Sequence, residues 1–148
     1  MFNQRIDAPI NAAYYEPFKQ WSAICNELAL WVYSTNFNNY LYPYNSWDVI
    51  QDNYRIYNDY NVMYLFDQGQ MNNMSSTAFS ELKCFLTSKL SWNVNEDVAK
   101  LTNDYFEHVY GPAAGTMREM YDSVRMYMKY LENEKNVTGA IGFAIAST

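Results

Sequence analysis

At 148 residues the chain is long enough for one domain and too short for two of ordinary size. An apolar content of 49% supports a real core and excludes a disordered chain. A net charge of −6 lacks the basic face that nucleic acid or an anionic membrane surface calls for, so neither is an expected partner.

Two cysteines, Cys25 and Cys84, form no disulfide framework and no metal-ligand spacing. Both fall in predicted helices and read as small buried apolar residues. The opening MFNQRIDAPINAAYY has no apolar signal-peptide core. The apolar tail from Val137 to Thr148 is about half as long as a membrane-spanning helix. Neither observation assigns a compartment.

Residues 1–15 show no periodicity and read as an irregular lead-in. Glu16-Pro17 predicts a helix start, because proline is favoured at the first helical position. Phe18, Trp21, Ile24 or Cys25, and Leu28 then recur at helical spacing as a core-facing stripe, with the helix ending near Asn26 or Glu27. Leu28 to Tyr33 is a nearly continuous apolar run, the pattern of a strand buried on both faces. Next comes a polar run, Ser34-Thr35-Asn36, and a loop carrying Phe37, Tyr40, Tyr42 and Tyr44.

Ser46 has the character of an N-cap, with Asp48 in the first turn. The helix from Trp47 to Tyr60 places Ile50, Tyr54 and Tyr57 on one face, and Asn61 ends it. Val62 to Phe66 predicts a second apolar strand, followed at once by Asp67-Gln68-Gly69 and a loop over 70–76. A helix from Thr77 to Ser91 turns Phe79, Leu82, Leu86 and Leu90 inward. Asn95 caps the next helix, with a stripe of Val98, Leu101, Tyr105 and Val109 and Gly111 just past its end. Pro112 opens the last helix, with Met117, Met120 or Tyr121, Val124, Tyr127 and Leu131 inward. The closing VTGAIGFAIAST has strand-like composition without a clear period.

Strands alternating with helices imply a parallel sheet. Two doubly buried strands cannot make such a sheet alone. The expectation is an α/β fold: the C-terminal portion of a (β/α)8 barrel, with two parallel strands and about five helices forming one partial domain over 1–148. A self-contained, mostly helical domain is the alternative.

Four blocks carry a resemblance: WVYSTNFNNYLYPYNSWDVI, NVMYLFDQGQ, FSELKCFLTSKLSWNVNEDV and YGPAAGTMREMYD. In order and spacing they resemble a family of uncharacterised bacterial proteins with a glycoside-hydrolase-type TIM barrel, related to the α-glucuronidases. The resemblance covers roughly Leu28 to Leu131. It implies that the two strands are late strands of a barrel. The chain departs from the family pattern at Val32, where an acidic residue commonly follows the tryptophan. It departs again at Asp67, where glutamate usually precedes Gln-Gly. The family's early strands have no counterpart here.

In α/β proteins, ligands sit beyond the carboxyl ends of parallel strands. Tyr33, Thr35, Asn36, Phe37, Tyr40 and Gln68 are therefore the candidate ligand-binding residues. Rings offer a flat apolar face, and amides and hydroxyls offer donors and acceptors, a combination that suits a sugar. The same rings could equally be packing. Asp67 is the one candidate catalytic carboxylate, with a turn role as its alternative. Glycosidases use a pair of carboxyl groups, and no partner is legible at a strand end. Asp48 is accounted for as a first-turn charge. His108 is the only histidine and reads as a surface residue. No metal site and no cofactor are expected.

The functional expectation is a glycoside-hydrolase-like fragment that acts on or binds carbohydrate and is inactive alone. Its expected partners are carbohydrate and either a missing barrel half or another copy of the chain. A stand-alone ligand-binding module and an interaction fragment without ligand are the alternatives.

Overall fold

The computed structural model of the chain describes residues 3–37, 41–69 and 78–135. Tyr40, the loop over 70–76 and the strand-like tail lie outside the described residues. The order of elements is α1 (Ala12–Ile24), β1 (Leu28–Tyr33), α2 (Ile50–Asp59), β2 (Val62–Gln68), α3 (Ser80–Trp92), α4 (Val98–Tyr110) and α5 (Ala114–Lys135). The fold is mixed α/β, and β1 and β2 pair in parallel as its single sheet among the described residues.

Leu28 N donates to Asn61 O at 2.8 Å, and Ser34 N donates to Gln68 O at 3.0 Å, so the pairing is closed at both ends. Asn61 adopts a left-handed backbone (φ 63°), which stops α2 and turns the chain into β2. Its amide donates to the carbonyls of Ser22 and Cys25, both at 3.2 Å, which ties that turn to the end of α1.

Register decides which side chains share a face. Leu30 pairs with Leu65 and Val32 with Asp67; these face the helices. Ala29 pairs with Tyr64, Trp31 with Phe66 and Tyr33 with Gln68; these share the opposite face. That face is open: Trp31 is 62% exposed, Tyr64 69% and Phe66 55%. The expectation of strands buried on both faces is therefore corrected. A continuous apolar run shows that both faces are apolar, but not that this chain covers both.

The core lies on the helix side. Phe18, Val32, Trp47, Tyr54, Tyr57, Phe79, Leu82, Leu86, Leu90, Phe106 and Tyr121 form one buried cluster. Phe106 is its centre, with ring centroids 5.4 Å from Tyr121, 5.4 Å from Tyr110 and 5.7 Å from Phe79.

Several boundaries and stripes differ from expectation. Helix α1 begins at Ala12 behind a short 3-10 turn and carries Pro17 inside it. Only Phe18 of its expected stripe is buried, while Trp21 and Ile24 face solvent. Trp47, Asp48 and Val49 form a turn closed by Val49 N donating to Ser46 O, so α2 begins at Ile50 rather than after a Ser46 cap. In α4 the buried positions are Thr102 and Phe106, and Val109 is exposed. In α5 Tyr121, Met117 and Val124 pack inward as expected, with Tyr121 rather than Met120 taking its position; Met128 is buried too, and Tyr127 faces out. Cys84 is exposed and Cys25 half-buried, which corrects the reading of two buried thiols.

The cap of α4 is Asp97, not Asn95: its carboxylate accepts from Lys100 N at 2.9 Å. Asp97→Ala is expected to lower stability by about 1 kcal/mol. Asn95→Ala should leave the urea midpoint unchanged, so equal effects of the two would contradict the cap.

Candidate functional site

The carboxyl ends of β1 and β2 meet where Tyr33 pairs with Gln68, and this edge holds most of the candidate residues. The register divides them into two groups. On the open face, Gln68 Oε1 accepts from the Trp31 indole N–H at 2.8 Å, a bond that crosses the two strands. Trp31 packs edge-on against Phe66 at 4.8 Å, and Tyr33 packs edge-on against Phe37 at 5.5 Å. Tyr33, Phe37 and Gln68 thus continue a ring-lined surface that runs down the strands through Trp31 and Phe66.

Asp67 turns the other way. It lies among the helices, where Oδ2 accepts from the Tyr54 phenol at 3.3 Å. Burial pushes its carboxyl above the usual carboxylate range, opposed by the Ser34 hydroxyl, the Tyr54 phenol and the charge of Lys83. Among the described residues its other oxygen, Oδ1, has no hydrogen-bond partner. Thr35 and Asn36 are buried, and the Thr35 hydroxyl likewise has no partner among the described residues.

Lys83 is the residue that sequence reading passed over. It is 4% exposed, within the apolar stripe of α3 between Phe79 and Leu86. Its ammonium donates to the carbonyl of Ser34 at 3.2 Å and to that of Tyr44. It also lies over the rings of Trp47 at 4.6 Å and Tyr44 at 5.0 Å. The ring-rich loop leaves β1 at Ser34 and returns at Tyr44, so Lys83 holds both ends of that loop to α3. Burial pushes the amine down to about 7, with Asp67 and Cys84 opposing. The signal was present: a lysine at helical spacing inside a leucine stripe must either snorkel or be paired.

A cavity of about 80 Å³ lies beside this cluster, lined by Ser34, Thr35, Asp67, Gly69, Lys83 and Thr87 among others. A water needs about 10 to 15 Å³ of such space, so the cavity holds several waters.

His108 sits in the last turn of α4, its Nδ1 2.6 Å from the carbonyl of Asp104. Among the described residues, no group of three or more His, Cys, Asp or Glu side chains could hold a metal ion. No described helix is long and apolar enough to cross a membrane.

The fold and this edge define a small mixed α/β domain with a two-stranded parallel sheet, helices on one face and rings on the other. The chain belongs to the family described as Domain of unknown function (DUF4838), whose model matches residues 1–123. No curated protein and no solved structure matches the chain.

Proposed function

We propose that the chain is the C-terminal portion of a glycoside-hydrolase-like (β/α)8 barrel and supplies part of a carbohydrate-binding surface at the carboxyl ends of β1 and β2. The observation that carries this reading is the open face of the sheet. Ala29 and Tyr64, Trp31 and Phe66, and Tyr33 and Gln68 form three successive cross-strand pairs along it. Inward side chains of a barrel also stack in layers, and the last layer lines the mouth. In this reading Trp31 and Phe66 fill the interior while Tyr33, Gln68 and Phe37 meet the ligand. A ring covers the apolar face of a sugar, and the Gln68 amide and neighbouring polar groups take its hydroxyls.

Asp67 faces the helices, and among the described residues it is the single carboxylate at a strand's carboxyl end. The chain therefore supplies binding surface rather than an acid–base pair, and by itself it is inactive. A second reading is favoured by α1. Ile10, Tyr14, Trp21 and Ile24 are all more than half exposed and recur at near-helical spacing, a face suited to another protein surface or a second copy.

An NMR titration of the chain with neutral oligosaccharides and with uronic acids tests the first reading. The expected result is weak binding, with shifts at the Trp31 indole, Tyr33 and Gln68 that disappear in Gln68→Ala. Each neutral hydrogen bond contributes only about 1 kcal/mol net, so dissociation constants in the millimolar range are expected. Shifts confined to α1, or shifts that depend on protein concentration alone, would favour the second reading. Hydrolysis of an aryl glycoside by the isolated chain, abolished in Asp67→Ala, would overturn the binding-only role.

A further inference from the structure

The Gln68 side chain on the open face has its amide orientation fixed by chemistry. An indole N–H is a donor only, so the atom that meets Trp31 Nε1 at 2.8 Å is the carbonyl oxygen Oε1 and not Nε2. Trp31 is itself held edge-on against Phe66, its cross-strand partner, with ring centroids 4.8 Å apart. We propose that Trp31 locks Gln68 with its NH2 group free for the ligand, which makes this surface selective for a neutral sugar bearing an acylamino group, such as N-acetylglucosamine. The proposal rests on the reading of this edge as a carbohydrate surface and names the class of sugar it takes.

A side-chain amide carries two N–H donors and an oxygen with two lone pairs. The indole takes one lone pair. Nε2 has no hydrogen bond to a described residue, so both donors are unspent. The Gln68 backbone carbonyl already accepts from Ser34 N at 3.0 Å. At this point the edge offers more donors than acceptors, and it asks the ligand for an acceptor. A sugar hydroxyl brings an acceptor together with a donor that needs a partner of its own. An acyl carbonyl brings two lone pairs and no donor. Its methyl group suits the neighbouring rings of Tyr33 and Phe37, which pack edge to face at 5.5 Å.

A carboxylate would accept too, but charge argues against it. Neither strand contains a lysine or arginine, and none occurs from Ser34 to Tyr54 or from Gly69 to Leu82. The first cation after β2, Lys83, is buried on the helix side, where it donates to the carbonyls of Ser34 and Tyr44. A carboxylate that loses water on the open face gains no counter-charge from these segments, and desolvating a charge costs more than desolvating a neutral carbonyl. Uronic acids are therefore disfavoured relative to acylamino sugars.

The test is an NMR titration of the whole chain with N-acetylglucosamine, glucose and glucuronate in parallel, read at the Trp31 indole and the Gln68 side-chain amide. N-acetylglucosamine should bind about fivefold more tightly than glucose, the worth of one added neutral hydrogen bond. Glucuronate should bind no better than glucose. Trp31→Phe keeps a ring against Phe66 and removes the N–H donor, so the amide can turn either way and the preference for N-acetylglucosamine should vanish. Gln68→Glu keeps the length and an acceptor for the indole but removes both donors; it should abolish the preference independently. If Trp31 only packs, Trp31→Phe weakens both sugars alike and leaves their ratio unchanged, which would overturn the proposal. Equal binding of glucose and N-acetylglucosamine to the wild type, or tighter binding of glucuronate, would overturn it while leaving the carbohydrate surface standing. The absence of saturable shifts at this edge with all three sugars would overturn both.

Discussion

Lys83→Ala is expected to lower the unfolding free energy by about 3 kcal/mol, measured by urea denaturation near neutral pH. Two effects oppose each other. Alanine removes a buried charge, which alone is favourable. It also leaves the Ser34 carbonyl without this donor and the Tyr44 carbonyl with Ser46 N as its donor, opens space beside the Trp47 ring, and takes a cation from Asp67. An orphaned buried polar group costs about 1 to 3 kcal/mol, and the space opened beside Trp47 adds to it, so the loss outweighs the gain. The amides of Ser34 to Phe37 and of Leu41 to Tyr44 should exchange their protons faster in the variant. A change below about 1 kcal/mol would show that the contacts of Lys83 are worth no more than a surface pair.

The same lysine sets a pH signature. Its amine is pushed down to about 7 in the fold, against about 10.4 in an unfolded chain. Between these values the unfolded state binds more protons, so stability rises with pH. Buried tyrosines act with the opposite sign at higher pH: burial pushes Tyr121 up to about 12, and Tyr54 and Tyr57 also shift upward. The clean window is therefore from pH 7 to about 9.5. The wild type should gain stability across it relative to Lys83→Met, which keeps most of the apolar stem. Parallel profiles would mean that Lys83 titrates as an ordinary exposed lysine.

Phe106→Ala is expected to cost about 4 kcal/mol. Phe106 is 2% exposed and joins α4 to both neighbours, with Phe79 before α3 and Tyr121 of α5 packed on its ring. The Arg118 guanidinium covers it at 5.9 Å. Alanine leaves a cavity that three rigid aromatic neighbours cannot collapse to fill. Phe106→Leu should recover more than half of the loss. A thermal midpoint for Phe106→Ala close to that of the wild type would show that α4 and α5 contribute little to cooperative stability.

Lys83 and Phe106 also mark where sequence reading stops. Val98, Leu101 and Tyr105 of the expected α4 stripe pack half-buried against the core, but its deepest positions are Thr102 and Phe106 on the adjacent row, and Val109 is exposed. Apolar periodicity locates a face to within about one residue in a helix that is apolar over a wide arc. The α2 face of Ile50, Tyr54 and Tyr57 was legible because polar residues surround it, and all three are buried. Asp67 and Gln68 looked like one site because they are adjacent, yet adjacent strand residues point to opposite faces. A cleft between α2, α4 and α5 left no trace, since its walls come from turns and helices far apart in the chain.

The sequence by itself determined the two strands, their parallel order and the ring-rich loop between them. Short apolar runs bounded by turn residues form strands locally, and a helix between two strands leaves room for a parallel crossover. Only the tertiary structure decided that one face of the sheet stays open, that Gln68 lies on that face while Asp67 faces the helices, and that Lys83 is buried at the ends of the loop. Those outcomes depend on which residues distant in sequence come together: Ser34, Tyr44 and Asp67 around Lys83, and Trp31 beside Phe66. Burial and charge pairing are properties of such assemblies, so no local pattern encodes them.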